Sequence, residues 1–222
     1  MFHTPYVMNA LILVDIQNDF LPGGTLAVPR GDEVIAPANR LQARFDLVVA
    51  TQDWHPADHG SFAANHPGRQ PGEAIELGGL PQVLWPVHCV QGTRGAEFPA
   101  ELDTSRVAGM FRKGTDPGID SYSGFFDNGR RQATGLDAYL RERGVSHVYV
   151  AGLATDYCVK ATAIDARWLG YRVTLVEDAC RGVERRPGDV RRAIDEMRAA
   201  GVEVVDSAVL AGLSPQSHVH EN

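Results

Sequence analysis

The sequence predicts an α/β fold, a single domain built on a parallel β-sheet with helices on both faces. Three observations carry this reading. Apolar runs of strand length alternate with amphipathic helical stretches over much of the chain. The runs are continuously apolar, as in strands covered on both sides, where one solvated face would impose alternation. Glycines (Gly170, Gly201) close two of the helical stretches, where the chain turns back toward the sheet.

In chain order, residues 10–14 (Ala-Leu-Ile-Leu-Val) are the first strand, and residues 31–44 a helix with Val34, Ile35, Ala38 and Leu41 on one stripe. Residues 46–51 are a second strand, 107–111 a short strand-like piece, and 148–151 a further strand. A helix over 156–169, a strand over 171–176, a helix over 189–200 and a strand over 202–205 follow. Repeated βα units of this kind imply parallel strands joined by crossovers. The domain is expected to span 1–213, with 214–222 a polar tail that frays.

Residues 52–129 break the alternation. They are rich in Gly, Pro, His and aromatics, and long irregular stretches inside compact domains are functional or disordered. The aromatics and histidines favour function. Within this region, residues 68–80 read as an insertion-like loop of unassigned role.

Composition excludes several classes. The 222 residues are 44% hydrophobic, enough for a large core without disulfides. With 21 Lys+Arg against 28 Asp+Glu the net charge is −7, which argues against nucleic acid as a partner. No apolar run approaches the roughly 18 residues of a membrane span, and the first residues lack the features of a signal peptide. Three cysteines, Cys89, Cys158 and Cys180, are too few and odd in number for a disulfide framework, so a cytoplasmic setting is expected. Self-association into a homo-oligomer stays open.

In an open parallel sheet the ligand sits beyond the C-terminal strand ends, so residues there carry the chemistry. Cys158 lies in a strand–turn–helix passage. A helix start favours thiolate and offers N–H groups to an oxyanion. Asp15 directly follows the first strand, where desolvation raises a carboxylate toward the range of a useful base. Lys113 follows the strand-like piece and, if tucked in, pairs with a carboxylate and stabilises a thiolate. Asp53 and His55 are two apart in an extended segment and face the same way, so they can share a cation, with His88 as a third ligand. His59 and His66 are nearby competitors for that third place.

The stretches Leu13-Val14-Asp15-Ile16-Gln17-Asn18-Asp19-Phe20, Phe111-Arg112-Lys113-Gly114 and Ala154-Thr155-Asp156-Tyr157-Cys158-Val159 resemble the Asp, Lys and Cys motifs of the isochorismatase-like cysteine hydrolases. Thr51-Gln52-Asp53-Trp54-His55-Pro56 and Trp85-Pro86-Val87-His88-Cys89 resemble the metal-site motifs of the nicotinamidase branch of that family. The resemblance runs from about Asn9 to Leu210. It implies the family's parallel-sheet fold and hydrolysis of nicotinamide to nicotinate and ammonia in NAD salvage, with pyrazinamide as a second substrate. It implies a Cys158 nucleophile, Asp15 as base and acid, Lys113 as their orienting cation, and N–H groups of Ala154 and Cys158 as oxyanion donors. By the same resemblance Phe20 and Trp85 sandwich the substrate ring, and Leu26 and Tyr157 complete the wall. One divalent ion on Asp53, His55 and His88, zinc first with iron and manganese as alternatives, positions the ring nitrogen; some members of the family add a protein ligand from the loop after Asp-x-His, for which His59, Ser61 and His66 are the candidates. A cis peptide is implied before Ala154. Competing readings are a carbamoyl or ureido amidase, a vinyl-ether hydrolase, and a binding protein without catalysis.

Overall fold

A computed structural model describes residues 8–212, so the tail expected over 214–222 lies outside the described residues. Its centre is a six-stranded sheet of β1 (Met8–Val14), β2 (Leu47–Asp53), β5 (Val107–Lys113), β6 (Val145–Leu153), β7 (Arg172–Arg181) and β8 (Glu203–Val205). The order is β5-β2-β1-β6-β7-β8, and every neighbouring pair is parallel.

The core explains why β1 reads as an unbroken apolar run. Ala10 to Val14 are fully buried, but successive side chains enter different layers. Ala10, Ile12 and Val14 pack with Leu136 and Leu140 of α2 (Leu136–Glu142), Ala163 and Ala166 of α3 (Lys160–Trp168), and Ile194 and Met197 of α4 (Asp189–Ala199). Leu11 and Leu13 pack on the other side with Ala38 and Leu41 of α1 (Ile35–Gln42). Helices thus cover both faces, as expected.

Several boundaries differ from the sequence reading. The helix expected over 31–44 splits into a 3-10 turn, Gly31–Val34, and α1. Pro37 lacks an N–H and fits only the first turn of an α-helix, so regular helix starts just before it. Helix α2 has only two buried apolar residues in seven, too brief a stripe to read from periodicity. Strand β7 runs on to Arg181, through charged Glu177 and Asp178, across a register shift against β6. Residues 68–80, read as loop, enter an antiparallel hairpin of β3 (Ala74–Leu77) and β4 (Leu80–Val83). Its turn is Gly78-Gly79, both at positive φ (59° and 80°), the conformation that suits a two-residue hairpin. The glycines that suggested loop are what let the strands pair.

Strands β2 and β5 also extend past the expected ends, through Asp53 and Lys113. The sheet is parallel, so these residues, Asp15 after β1 and the turn after β6 all emerge at one edge. Residues up to 143 apart in sequence meet there.

Candidate active site

Asp15, Lys113 and Cys158 come together below a pocket at that edge. Lys113 Nζ lies 2.8 Å from Asp15 Oδ2 and 2.5 Å from Asp53 Oδ1. It donates to Ser121 O at 2.9 Å and to Cys158 Sγ at 3.4 Å. The Thr51 hydroxyl, two residues before Asp53, donates to Asp15 Oδ1 at 2.6 Å. One ammonium therefore serves two carboxylates and a sulfur, all shielded from water.

The Asp15 motif also assembles the site. Gln17 grips the main chain of Asp53: its Nε2 donates to Asp53 O at 2.9 Å and its Oε1 accepts from Asp53 N at 2.8 Å. Asp19 Oδ2 accepts from Cys89 N at 2.7 Å, fixing the chain beside His88. Neither role was visible in the sequence, since both act on backbone far along the chain.

Electrostatics follow from burial. Desolvation raises the Asp15 pKa, with Lys113 pulling the other way and Asp53 adding to the rise. Burial opposes charge on Lys113, but Asp15 and Asp53 outweigh it and hold the ammonium well above its usual value. The sequence reading favoured thiolate at Cys158, and here the structure corrects it. Burial pushes the thiol well above its ordinary value, Lys113 only partly offsets this, and Asp15 and Asp53 reinforce it. The turn is also not a plain α-helix start: Thr155–Val159 form a π-helical turn ahead of α3. The Leu153-Ala154 peptide preceding it is cis.

Beside this group, ligand atoms of Asp53, His55 and His88 lie within 4.8 Å of one another. Asp53 Oδ2 is 3.6 Å from His55 Nε2 and 3.8 Å from His88 Nε2, which points three donors at a common centre. The outer nitrogens are already committed, His55 Nδ1 to Gly114 O at 2.8 Å and His88 Nδ1 to Pro86 O at 2.7 Å. A carbonyl only accepts, so each ring donates from Nδ1 and faces its Nε2 inward, the arrangement found behind metal-binding histidines. Burial, with His55 nearby, lowers His88 to about 4, which keeps it a neutral imidazole near pH 7. Gly114 permits this packing, since a Cβ there would stand 2.4 Å from His55 Cε1. The residues fit a divalent ion.

Of the three further ligand candidates, His59 and Ser61 bond each other, Nδ1 to Oγ at 2.8 Å, and His66 Nε2 is taken by Gly60 O at 2.7 Å. His59 Nε2 remains buried without a hydrogen-bond partner, and His55, His59 and Asp120 offer ligand atoms within 4.8 Å of one another. Geometry thus favours His59 over the other two.

The pocket above is lined by Phe20, Leu26, Trp85 and Tyr157, the four residues expected to bind substrate, together with Cys158, Ala154, Asp53 and His88. Trp85 is held firmly: its Nε1 donates to Tyr122 OH at 3.2 Å, and Tyr157 meets its ring edge-on at 4.9 Å. Val28, Asp120, Tyr122 and Val183 also line the pocket. Sequence reasoning missed these four, because no local pattern marks a residue that a distant loop delivers.

The isochorismatase domain profile matches residues 9–209, nearly the whole chain. The chain belongs to the isochorismatase family. Within the family it is 54% identical over 197 residues to the nicotinamidase of Escherichia coli strain K12, covering 87% of this chain and 92% of that one. Among solved structures, a nicotinamidase/pyrazinamidase of Acinetobacter baumanii superposes with a TM-score of 0.89 at 47% identity, covering 93% of this chain and all of that one. The pyrazinamidase of Pyrococcus horikoshii in complex with zinc gives 0.73 at 41% identity, covering 90% of this chain and 99% of that one.

Proposed function

We propose that the chain hydrolyses nicotinamide to nicotinate and ammonia, as a step of NAD salvage, through a thioester on Cys158, and that it accepts pyrazinamide as well. The observation that carries this is Lys113 lying within reach of both Asp15 and Cys158, where Cys158 lines an aromatic pocket that Asp53 and His88 of the Asp53/His55/His88 cluster also line. The names of the relatives support the substrate class.

The resting thiol keeps its proton, and Asp15 takes it as sulfur bonds to the carboxamide carbon. The raised pKa of Asp15 suits it to hold that proton. N–H groups of Ala154 and Cys158, both on the pocket wall, receive the oxyanion. Asp15 then passes the proton to the amide nitrogen, the C–N bond breaks and ammonia leaves. Asp15 next deprotonates a water, which attacks the thioester and returns sulfur to the thiol. Lys113 balances the charge on Asp15 throughout. Phe20 and Trp85 sandwich the ring, while Leu26 and Tyr157 close its sides. Asp53, His55 and His88 would hold the divalent ion, with His59 as an additional ligand. That ion would supply a Lewis acid for the pyridine nitrogen, and the zinc-bound relative supports zinc over iron or manganese.

We read the chain as one hydrolase domain acting in the cytoplasm, consistent with three buried, unpaired cysteines. Among the described residues no helix is long and apolar enough to cross a membrane. Ammonia release from nicotinamide, measured with a coupled assay, tests the activity directly; its absence in metal-loaded protein overturns it. The ring-nitrogen role has its own test. Chelation, or His55→Ala, should lower turnover of nicotinamide by about 10- to 100-fold, the effect of losing one or two tenfold increments of binding. Benzamide, lacking the ring nitrogen, should already be poor, and benzamide turned over as fast as nicotinamide would rule that role out.

A further inference from the structure

The segment 68–80, to which the sequence assigned no role, reaches the pocket. Gly72 N donates to Leu84 O at 2.7 Å, so the base of the hairpin is tied to the chain that carries Trp85. From the opposite wall, the loop after β7 (182–188) brings Arg185. Its guanidinium stands 5.6 Å from the centroid of the Trp85 ring and donates to Gly72 O at 2.8 Å. The same loop contributes Val183 to the pocket. It is anchored to the turn of the nucleophile, because Asp156 accepts from Val183 N and Glu184 N at 2.9 Å each.

This arrangement has an asymmetry. One end of the loop is held by a carboxylate taking two backbone N–H groups, and those charge-assisted bonds are the stronger kind. Glu184 holds the other end by accepting from Gly188 N and Val190 N, whereas the crossing to the hairpin and Trp85 rests on one bond to a neutral carbonyl and one cation–π contact, both from the exposed Arg185 side chain. Phe20, Trp85, His88 and Cys158 line the pocket and are all 7% exposed or less, so little room leads to Cys158. The Arg185 crossing is the contact that yields at least cost.

We propose that Arg185 is a positioning residue whose bridge between Gly72 and Trp85 closes the pocket over the substrate ring and opens to admit it. This rests on the pocket being the amide-hydrolysing site. The bridge retains the bound ring and takes no part in bond making or breaking, so its loss separates KM from kcat.

The test uses metal-loaded full-length Arg185→Ala and Arg185→Lys, with thermal melts to verify folding. Labelling of Cys158 by N-phenylmaleimide and by iodoacetamide is followed alongside nicotinamide kinetics, with Cys158→Ala protein subtracting labelling at Cys89 and Cys180. Arg185→Ala should raise KM about tenfold with kcat within about twofold, the size expected for one hydrogen bond plus one exposed cation–π contact. It should speed labelling by the bulky maleimide about fivefold, and by iodoacetamide less, while Arg185→Lys recovers part of both effects. Unchanged KM and labelling overturn the proposal, as does a fall in kcat with KM and labelling unchanged. If labelling responds but the wild-type protein does not hydrolyse nicotinamide, the bridge stands and the substrate reading falls. If nicotinamide is hydrolysed and neither readout moves, the bridge alone falls.

Discussion

Cys158→Ala is expected to abolish nicotinamide hydrolysis, a loss on the order of 10,000-fold or more, the scale seen when a covalent nucleophile is removed. The substitution leaves Asp53, His55 and His88 in place, so metal content should match wild type. The side chain is small and sits at a pocket floor, so the fold should survive. Its neighbours sharpen the test. Burial pushes the Cys89 thiol well above its usual value and Cys180 up to about 12, leaving both inert as nucleophiles. Cys89→Ala and Cys180→Ala should therefore keep turnover, apart from what a changed core costs. Activity above a few per cent in Cys158→Ala would exclude the thioester route.

Lys113→Met is expected to be nearly as damaging, for two separable reasons. Removing the cation leaves Asp15 buried without its ammonium and Asp53 with only His55 and His88 beside it, and breaking such a group costs about 3–5 kcal/mol. Asp15, already raised by burial, then rises further above its unfolded value. A group raised in this way contributes stability below its unfolded pKa and loses it as pH rises through the folded pKa. The stability gap to wild type should thus be widest at neutral and alkaline pH and narrow on acidification. Melting temperatures against pH, in chelator so that no divalent ion substitutes for Lys113, decide this; a gap independent of pH would remove the charge-balancing role. The second reason is kinetic. Lys113 lowers the pKa of both Asp15 and Cys158, so without it the acid limb of kcat/KM and the alkylation profile of Cys158 should both move to higher pH. An unchanged alkylation profile would return Lys113 to a merely structural part.

The corrections share one cause. The sequence placed Cys158 at a helix start beside a lysine and so favoured thiolate, but the pKa of a thiol depends on its surroundings in three dimensions. Complete burial and two nearby carboxylates outweigh one ammonium and push the thiol pKa up. The Gly68–Leu80 segment was misread for a similar reason. Glycine content marks backbone freedom, and whether that freedom serves a loop or a hairpin turn is decided by what the flanking residues pair with.

The linear sequence determined the αβ alternation, because unbroken apolar runs such as residues 10–14 suit strands covered on both faces. It also identified Asp15, Asp53, Lys113 and Cys158 as strand-end residues, since the C-terminal edge of a parallel sheet is where ligands bind. Those were local properties of composition and spacing. Strand order was not local. That β5 lies outside β2, so that Lys113 reaches Asp53, Asp15 and Cys158 at once, emerged only from packing. Tertiary structure likewise decided that Gln17 and Asp19 clamp distant backbone, that His59 keeps a buried ring nitrogen without a hydrogen-bond partner, and that Arg185 reaches Trp85. Contacts between residues tens of positions apart leave no periodic trace along the chain. Their energies depend on burial, and burial exists only once the chain has folded.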